Sequence, residues 1–150
     1  MAGSSQMRSE IGQTLMLLTR DFQRRLDADL KARGVQGIGA RHRDVFLFLG
    51  RNGASRAVDL AQSAGIRPQS MMKIVHELEA LGMLERRVDP ADSRAKLIDF
   101  TQQGREFIRE LSRSTETVWR QYVALLGEAE ALRTFNNLNR LLAGETTSDE

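Results

Sequence analysis

The sequence predicts an all-α chain carrying one small β-hairpin, and three observations support that reading. Apolar residues recur at helical spacing through most of the chain. One charged stretch, from Met83 to Phe100, instead alternates partially with a period of two and turns on Asp89-Pro90-Ala91-Asp92-Ser93. Glycines stand where the helical pattern stops. The 150 residues suffice for one compact domain with a real core and are too few for two large ones.

Taken in order, Ile11, Leu15, Leu18, Phe22, Leu26 and Leu30 form the stripe of a long amphipathic helix through Met7 to Arg33, which Gly34, Gly37 and Gly39 then interrupt as a helix stop and loop. A second helix runs from Ala40 to Arg51. Its Val45, Phe46, Leu47, Phe48 and Leu49 are apolar on nearly every side, as in a mostly buried segment. Asn52-Gly53 is a turn, and Ala54-Ser55-Arg56 is short enough to add at most one small strand beside the hairpin. Ala57–Ala64 forms a short helix with Val58, Leu60 and Ala61 expected inward, and Gly65 permits a tight reversal.

The next helix opens on Pro68, which lacks an amide hydrogen that would be unpaired there anyway, and Gly82 can close it in the left-handed conformation. Met71, Ile74, Val75, Leu78 and Leu81 gather on one buried stripe at i, i+3, i+4, i+7 and i+10. Gln69, Lys73, His76 and Ala80 then lie on the far side, with Ser70 and Glu77 on one flank and Met72 on the other. After the hairpin, Thr101 is a plausible N-cap. Phe107, Ile108, Leu111, Val118, Tyr122 and Leu125 carry a further helix to Leu126. A last helix, Glu128–Ala143, rests on Leu132, Phe135, Leu138, Leu141 and Leu142, before a polar acidic tail, residues 144–150, expected to be disordered.

Composition excludes several functions. The chain has no cysteine, hence no disulfide, thiolate metal site or thiol switch of its own. His42 and His76 are its only histidines and belong to no HExxH, and there is no GxSxG, so neither a metal or other cofactor nor enzymatic activity is expected. No apolar run approaches the ~20 residues that cross a bilayer, and the first ten residues lack the features of a signal peptide, so the expected location is the cytoplasm, away from membranes. Net charge is only +2, but the basic residues other than Lys31, Lys73 and Lys96 are arginines. Arg56, Arg67, Arg86, Arg87 and Arg94 fall in the central helix pair and hairpin, where guanidiniums suit phosphate and groove contacts.

The stretch LAQSAGIRPQSMMKIVHELEALGMLERRVDPADSRAKLIDFTQQG resembles the winged helix-turn-helix of the multiple antibiotic resistance regulator (MarR) family. The match is close at Leu60-Ala61, from Leu78 to Arg86, and at Asp92-Ser93-Arg94-Ala95-Lys96 running to Thr101 and Gly104. The resemblance implies a transcriptional regulator, most readily a repressor, that binds a pseudo-palindromic operator in double-stranded DNA as a homodimer. Residues 7–38 would be the N-terminal dimerisation helix, and residues 40–101 the DNA-binding region with recognition helix 67–81 and wing 84–100. Residues 102–143 would be the C-terminal dimerisation helices.

Arg67, Gln69, Ser70, Lys73, His76, Arg86, Arg87, Arg94 and Lys96 are the expected DNA contacts, with Asp92 bracing the wing by pairing to an arginine. Three long helices outside the winged core leave a monomer too little surface to cover their apolar faces. Ile11, Leu15, Leu18, Phe22, Leu132, Phe135, Leu138, Leu141 and Leu142 are therefore expected at the dimer interface. The resemblance also implies a small amphipathic, often aromatic, effector acid that releases DNA. Met16, Phe22, Phe46 and Trp119 are candidate walls for it, and Arg41 and His42 candidate anchors at a helix start, where the dipole favours an anion. The competing reading is a winged-helix module that binds a protein partner rather than DNA.

Overall fold

The computed structural model describes residues 2–144, with side chains from residue 10 onward. The expected disordered tail lies outside the described residues apart from Gly144, which caps the last helix. Helices are α1 (Ala2–Ala32), α2 (Ala40–Asn52), α3 (Ala57–Ala64), α4 (Pro68–Ala80), α5 (Gln102–Leu126) and α6 (Glu128–Ala143). The hairpin strands are β1 (Leu84–Asp89) and β2 (Asp92–Phe100). Among the described residues no helix is long and apolar enough to cross a membrane.

Glycine closures set the limits of the central helices. α1 stops at Ala32, beside the expected limit at Arg33, because Gly34 takes φ +83° and two reversed bonds form behind it, Gly34 N to Lys31 O and Val35 N to Leu30 O. Gly65 closes α3 in the same way, with Ile66 N donating to Ala61 O. Gly82 does so for α4, with Met83 N donating to Leu78 O. Arg67 and Leu81, the expected ends of the recognition helix, are its caps.

The core joins α2, α4, the hairpin and α5. Phe46 stacks on Phe100 at 5.7 Å and meets Phe107 at 4.6 Å, while Val75, Leu78, Leu84 and Ile98 fill the space beneath α4. α1 contributes Leu26 and Leu30. Val58, expected inward, is exposed: it stands two residues, or about 200°, from the buried Leu60 on a helix too short to have two buried faces. Leu81 is partly exposed as well, since it sits at the cap rather than within the stripe.

Strands β1 and β2 pair antiparallel from Leu84 opposite Phe100 to Asp89 opposite Asp92, so the expected five-residue tip tightens to Pro90-Ala91. The anticipated extra strand is a single bridge, Ser55 with Ile98. Asp92, expected to brace the wing by pairing to an arginine, does lie within ion-pair distance of Arg56, but Asp89 makes the closer brace. The buried Asp89 takes Arg56 Nε and Nη2 on Oδ2 at 2.8 and 2.6 Å and the Ala91 amide on Oδ1 at 2.9 Å. Asp92 stands 3.8 Å from Arg56 and chiefly accepts the Arg94 amide, at 3.0 Å. The difference is positional: Asp89 faces α3, whereas Asp92 begins the outgoing strand at the tip.

At the base of the hairpin, Thr101 ties three elements together. Its amide donates to Met83 O, its hydroxyl donates to Gly82 O at 2.5 Å, and the same oxygen accepts from Gly104 N at 3.0 Å to cap α5. A Cβ on Gly104 would stand 2.1 Å from the Met83 carbonyl oxygen, so only glycine fits this crossing.

Two predictions follow from these contacts. Gly104→Ala should destabilise the protein by about 1–3 kcal/mol through overpacking, although alanine alone would favour a helix by ~1 kcal/mol. A urea midpoint at or above that of the wild type would contradict the crossing. The Ala91 amide bond and then the hydrogen bond from Arg56 hold the Asp89 carboxyl below its ordinary 3.8. A lowered folded value means that the brace is fully present above the unfolded pKa and is lost as pH falls through the folded one. The Ala91 amide resonance should therefore titrate with a midpoint below 3.8; a midpoint at or above that value would place Asp89 outside the brace.

Candidate nucleic-acid interface

α4 rests its apolar stripe on the core and turns Gln69, Ser70, Lys73 and His76 to solvent. Together with Pro68, Met72, Glu77 and Ala80, three of these, Gln69, Lys73 and His76, line a shallow open depression along the outer face of the helix. Arg67 stands at the N-cap, where early backbone amides also point outward. Beside this surface, Arg94 and Lys96 are exposed on β2 near the turn. Within 4.0 Å, Arg67, Lys73, Arg94 and Lys96 meet no carboxylate among the described residues.

Arg86 and Arg87 differ from that group. Arg86 Nε holds Glu79 at 2.6 Å, and Arg87 holds Asp99 at 2.9 Å. Both lie in the middle of β1, so one ties the wing back to α4 and the other spans the hairpin. Four cations thus stand free on the α4 and wing surface, and two are already engaged in holding it.

The six candidate effector residues do not form one site. Phe46 is 1 % exposed and packs against Phe100 and Phe107, so it is a core residue and not a cleft wall; an α2 that is apolar all round gave no sign of which phenylalanine faced inward. Arg41 and His42 reach Glu77 of α4 instead of an open cavity. Met16 is exposed on α1. Phe22 and Trp119 do meet, in an apolar groove of about 490 Å³ between α1, α5 and α6 that Leu18, Tyr122, Phe135 and Leu138 also line.

Trp119 stands edge-on to Phe135 at 6.0 Å. On the groove's margin, Arg25 lies over the Tyr122 ring and the Tyr122 hydroxyl donates to Asp21 at 3.2 Å. Burial, and then that bond, push the Tyr122 pKa up, while bonds from Arg25 and Arg24 hold Asp21 down. Around the groove the expected interface residues remain uncovered: Ile11, Leu15, Leu18, Leu132, Phe135, Leu141 and Leu142 are exposed, and Phe22 and Leu138 partly so. Sequence reasoning missed Asp89, Arg56 and Glu77 as parts of the framework. The Asp89-Pro90-Ala91 run was a readable signal for the first, because an aspartate before proline accepts the amide two residues on.

Residues 36–95, from the α1–α2 loop into β2, match the model of the MarR family. No curated protein matches the sequence. Among solved structures, the YusO protein of Bacillus subtilis is 19% identical, with 94% of this chain and 98% of that one covered at a TM-score of 0.69. The transcriptional regulator Tm0710 of Thermotoga maritima is 22% identical, with 90% and 93% covered and a TM-score of 0.64. Wild-type MarR of E. coli in its apo form is 17% identical, with 88% and 96% covered and a TM-score of 0.71. These likenesses extend over nearly the whole length of each chain. The protein therefore has the winged-helix fold of these solved structures, and its central segment, residues 36–95, matches the MarR family model.

Proposed function

We propose that the protein is a cytoplasmic, homodimeric transcriptional regulator that binds a pseudo-palindromic operator in double-stranded DNA and acts as a repressor. The observation that carries this reading is the open polar face of α4 beside an exposed Arg94, on a scaffold where many other arginines are paired. Gln69 and Ser70 at the start of α4 are placed for base edges, since a recognition helix enters the major groove by its N-terminal residues. Lys73 and His76 continue that face toward base or phosphate, and Arg67 and Lys96 flank it. Arg94 reaches the adjacent minor groove or its backbone. Arg86 and Arg87 contribute positive potential while holding the wing's shape.

Dimerisation is supported by the uncovered apolar side chains of α1 and α6, among them Ile11, Leu15, Leu18, Leu132, Phe135, Leu141 and Leu142. An amphipathic effector acid remains part of the proposal, with Phe22 and Trp119 as its supporting residues. Entry into their groove would spread α1, α5 and α6 and so alter the spacing of two recognition helices.

Selection of duplexes from a random library, followed by mobility shifts at two salt concentrations, tests the DNA reading against a protein-contact module. Enrichment of a two-fold symmetric site supports it, and failure to enrich any sequence contradicts it. On the selected duplex, Arg94→Ala should weaken binding by roughly 1–3 kcal/mol while the dimer stays folded. Lys73→Ala should lessen the dependence of log K on log salt by about 0.9, one phosphate's worth. Unchanged affinity and slope in either variant would remove that residue from the interface. Leu138→Asp places a charge on the apolar face of α6 and should dissociate or unfold the dimer, with operator affinity falling in step. A wild type that sediments as a monomer at micromolar concentration would contradict the dimer.

A further inference from the structure

Glu77 lies on the flank of α4, and its Oε2 receives two donors from the first turn of α2. Arg41 Nη2 approaches at 2.8 Å and His42 Nε2 also at 2.8 Å. The His42 side chain is 7 % exposed, and its other ring nitrogen, Nδ1, accepts the Gly39 amide at 3.0 Å. An amide only donates, so Nδ1 carries no proton and the ring's single proton sits on Nε2, directed at Glu77. The bond from His42, and then the charge of Arg41, hold the Glu77 carboxyl below its ordinary value.

The first turn of α2 therefore grips α4 at Glu77 through two neighbouring donors.

This grip supplies what the core beneath α4 does not. Apolar packing of Met71, Ile74, Val75 and Leu78 fixes the depth of the helix, but the hydrophobic effect has no direction and resists rolling weakly. At an outer radius of about 5–6 Å, a roll of about 10° carries a side chain by about 1 Å, enough to spoil a hydrogen bond to a base. A buried imidazole bonded at both nitrogens is a directional strut against that roll.

We propose that His42 is a positioning residue that acts through Glu77 to fix the angle at which the recognition helix meets DNA; this rests on the DNA-binding reading above. The two ends of the ring can be separated by substitution. Glutamine sets an amide nitrogen where the ring has Nε2, so His42→Gln keeps the bond to Glu77 and gives up the Gly39 acceptor. Asparagine sets an amide oxygen near Nδ1, so His42→Asn keeps the acceptor and loses Glu77.

The readouts are melting temperature and affinity for the duplex that the wild type selects from random sequence. His42→Asn, melting as the wild type does, should lose about tenfold in affinity, of the order of one hydrogen bond to a charged group, and His42→Gln should recover most of it. Glu77→Ala should match His42→Asn, and the double variant should be no worse than either. Equal losses in the two His42 variants, additive losses in the double variant, or affinity that falls only in step with melting temperature would overturn the proposal. Should His42→Asn fail to fold, Glu77→Ala on its partly exposed flank gives the affinity arm and His42→Gln the rescue arm.

Nitrogen NMR of the His42 ring provides a readout without DNA. A neutral ring protonated on Nε2 is expected, and one protonated on Nδ1 would overturn the strut. A wild type that selects no duplex would overturn the DNA reading and this role with it, while the ring geometry would still be read independently.

Discussion

The junction at Thr101 is the constraint on which the remaining geometry depends. Its amide, hydroxyl and cap bond join the end of α4, the start of β1, the end of β2 and the start of α5 within one turn of chain. Each of those elements carries a different duty: α4 the polar face, the strands the wing, α5 the scaffold for α6. Because Met83 O accepts from Thr101 and bars a Cβ at Gly104, the angle between wing and α5 is fixed by backbone contact. Side-chain packing of Phe46 between Phe100 and Phe107 then seals the same junction from beneath.

Arginine performs two distinct tasks in this chain. Arg56, Arg86 and Arg87 hold carboxylates that stiffen the wing and tie it to α3 and α4. Such pairs are worth little individually where water reaches them, but a two-pronged guanidinium contact also fixes direction. Arg67 and Arg94, by contrast, stand without a carboxylate among the described residues, as Lys73 and Lys96 do. A net charge of only +2 therefore understates the local field, since many of the acids neutralise framework arginines rather than the outer face of α4.

Much of this was legible in the sequence wherever a local rule governs. The stripe under α4, the Thr101 cap and the closures at Gly65 and Gly82 depend on residues within one or two turns of each other. Three glycines follow α1 in the sequence, and only the backbone bonds behind Gly34 show which one closes the helix. Long-range pairings were not legible. Asp89 and Asp92 are equivalent by composition, and only the wing's approach to α3 makes Asp89 the partner of Arg56. Likewise His42 reads as an anion anchor at a helix start until Glu77, 35 residues away, is brought against it.

The central claim is that two copies of this winged segment, joined through α1, α5 and α6, read two half-sites on one face of a duplex. Hydroxyl-radical footprinting of the wild type on its selected duplex tests it most directly. Two blocks of protection with centres about 10 base pairs apart, or a multiple of that spacing, are predicted. A single block, with one protein chain bound per duplex, would contradict the account.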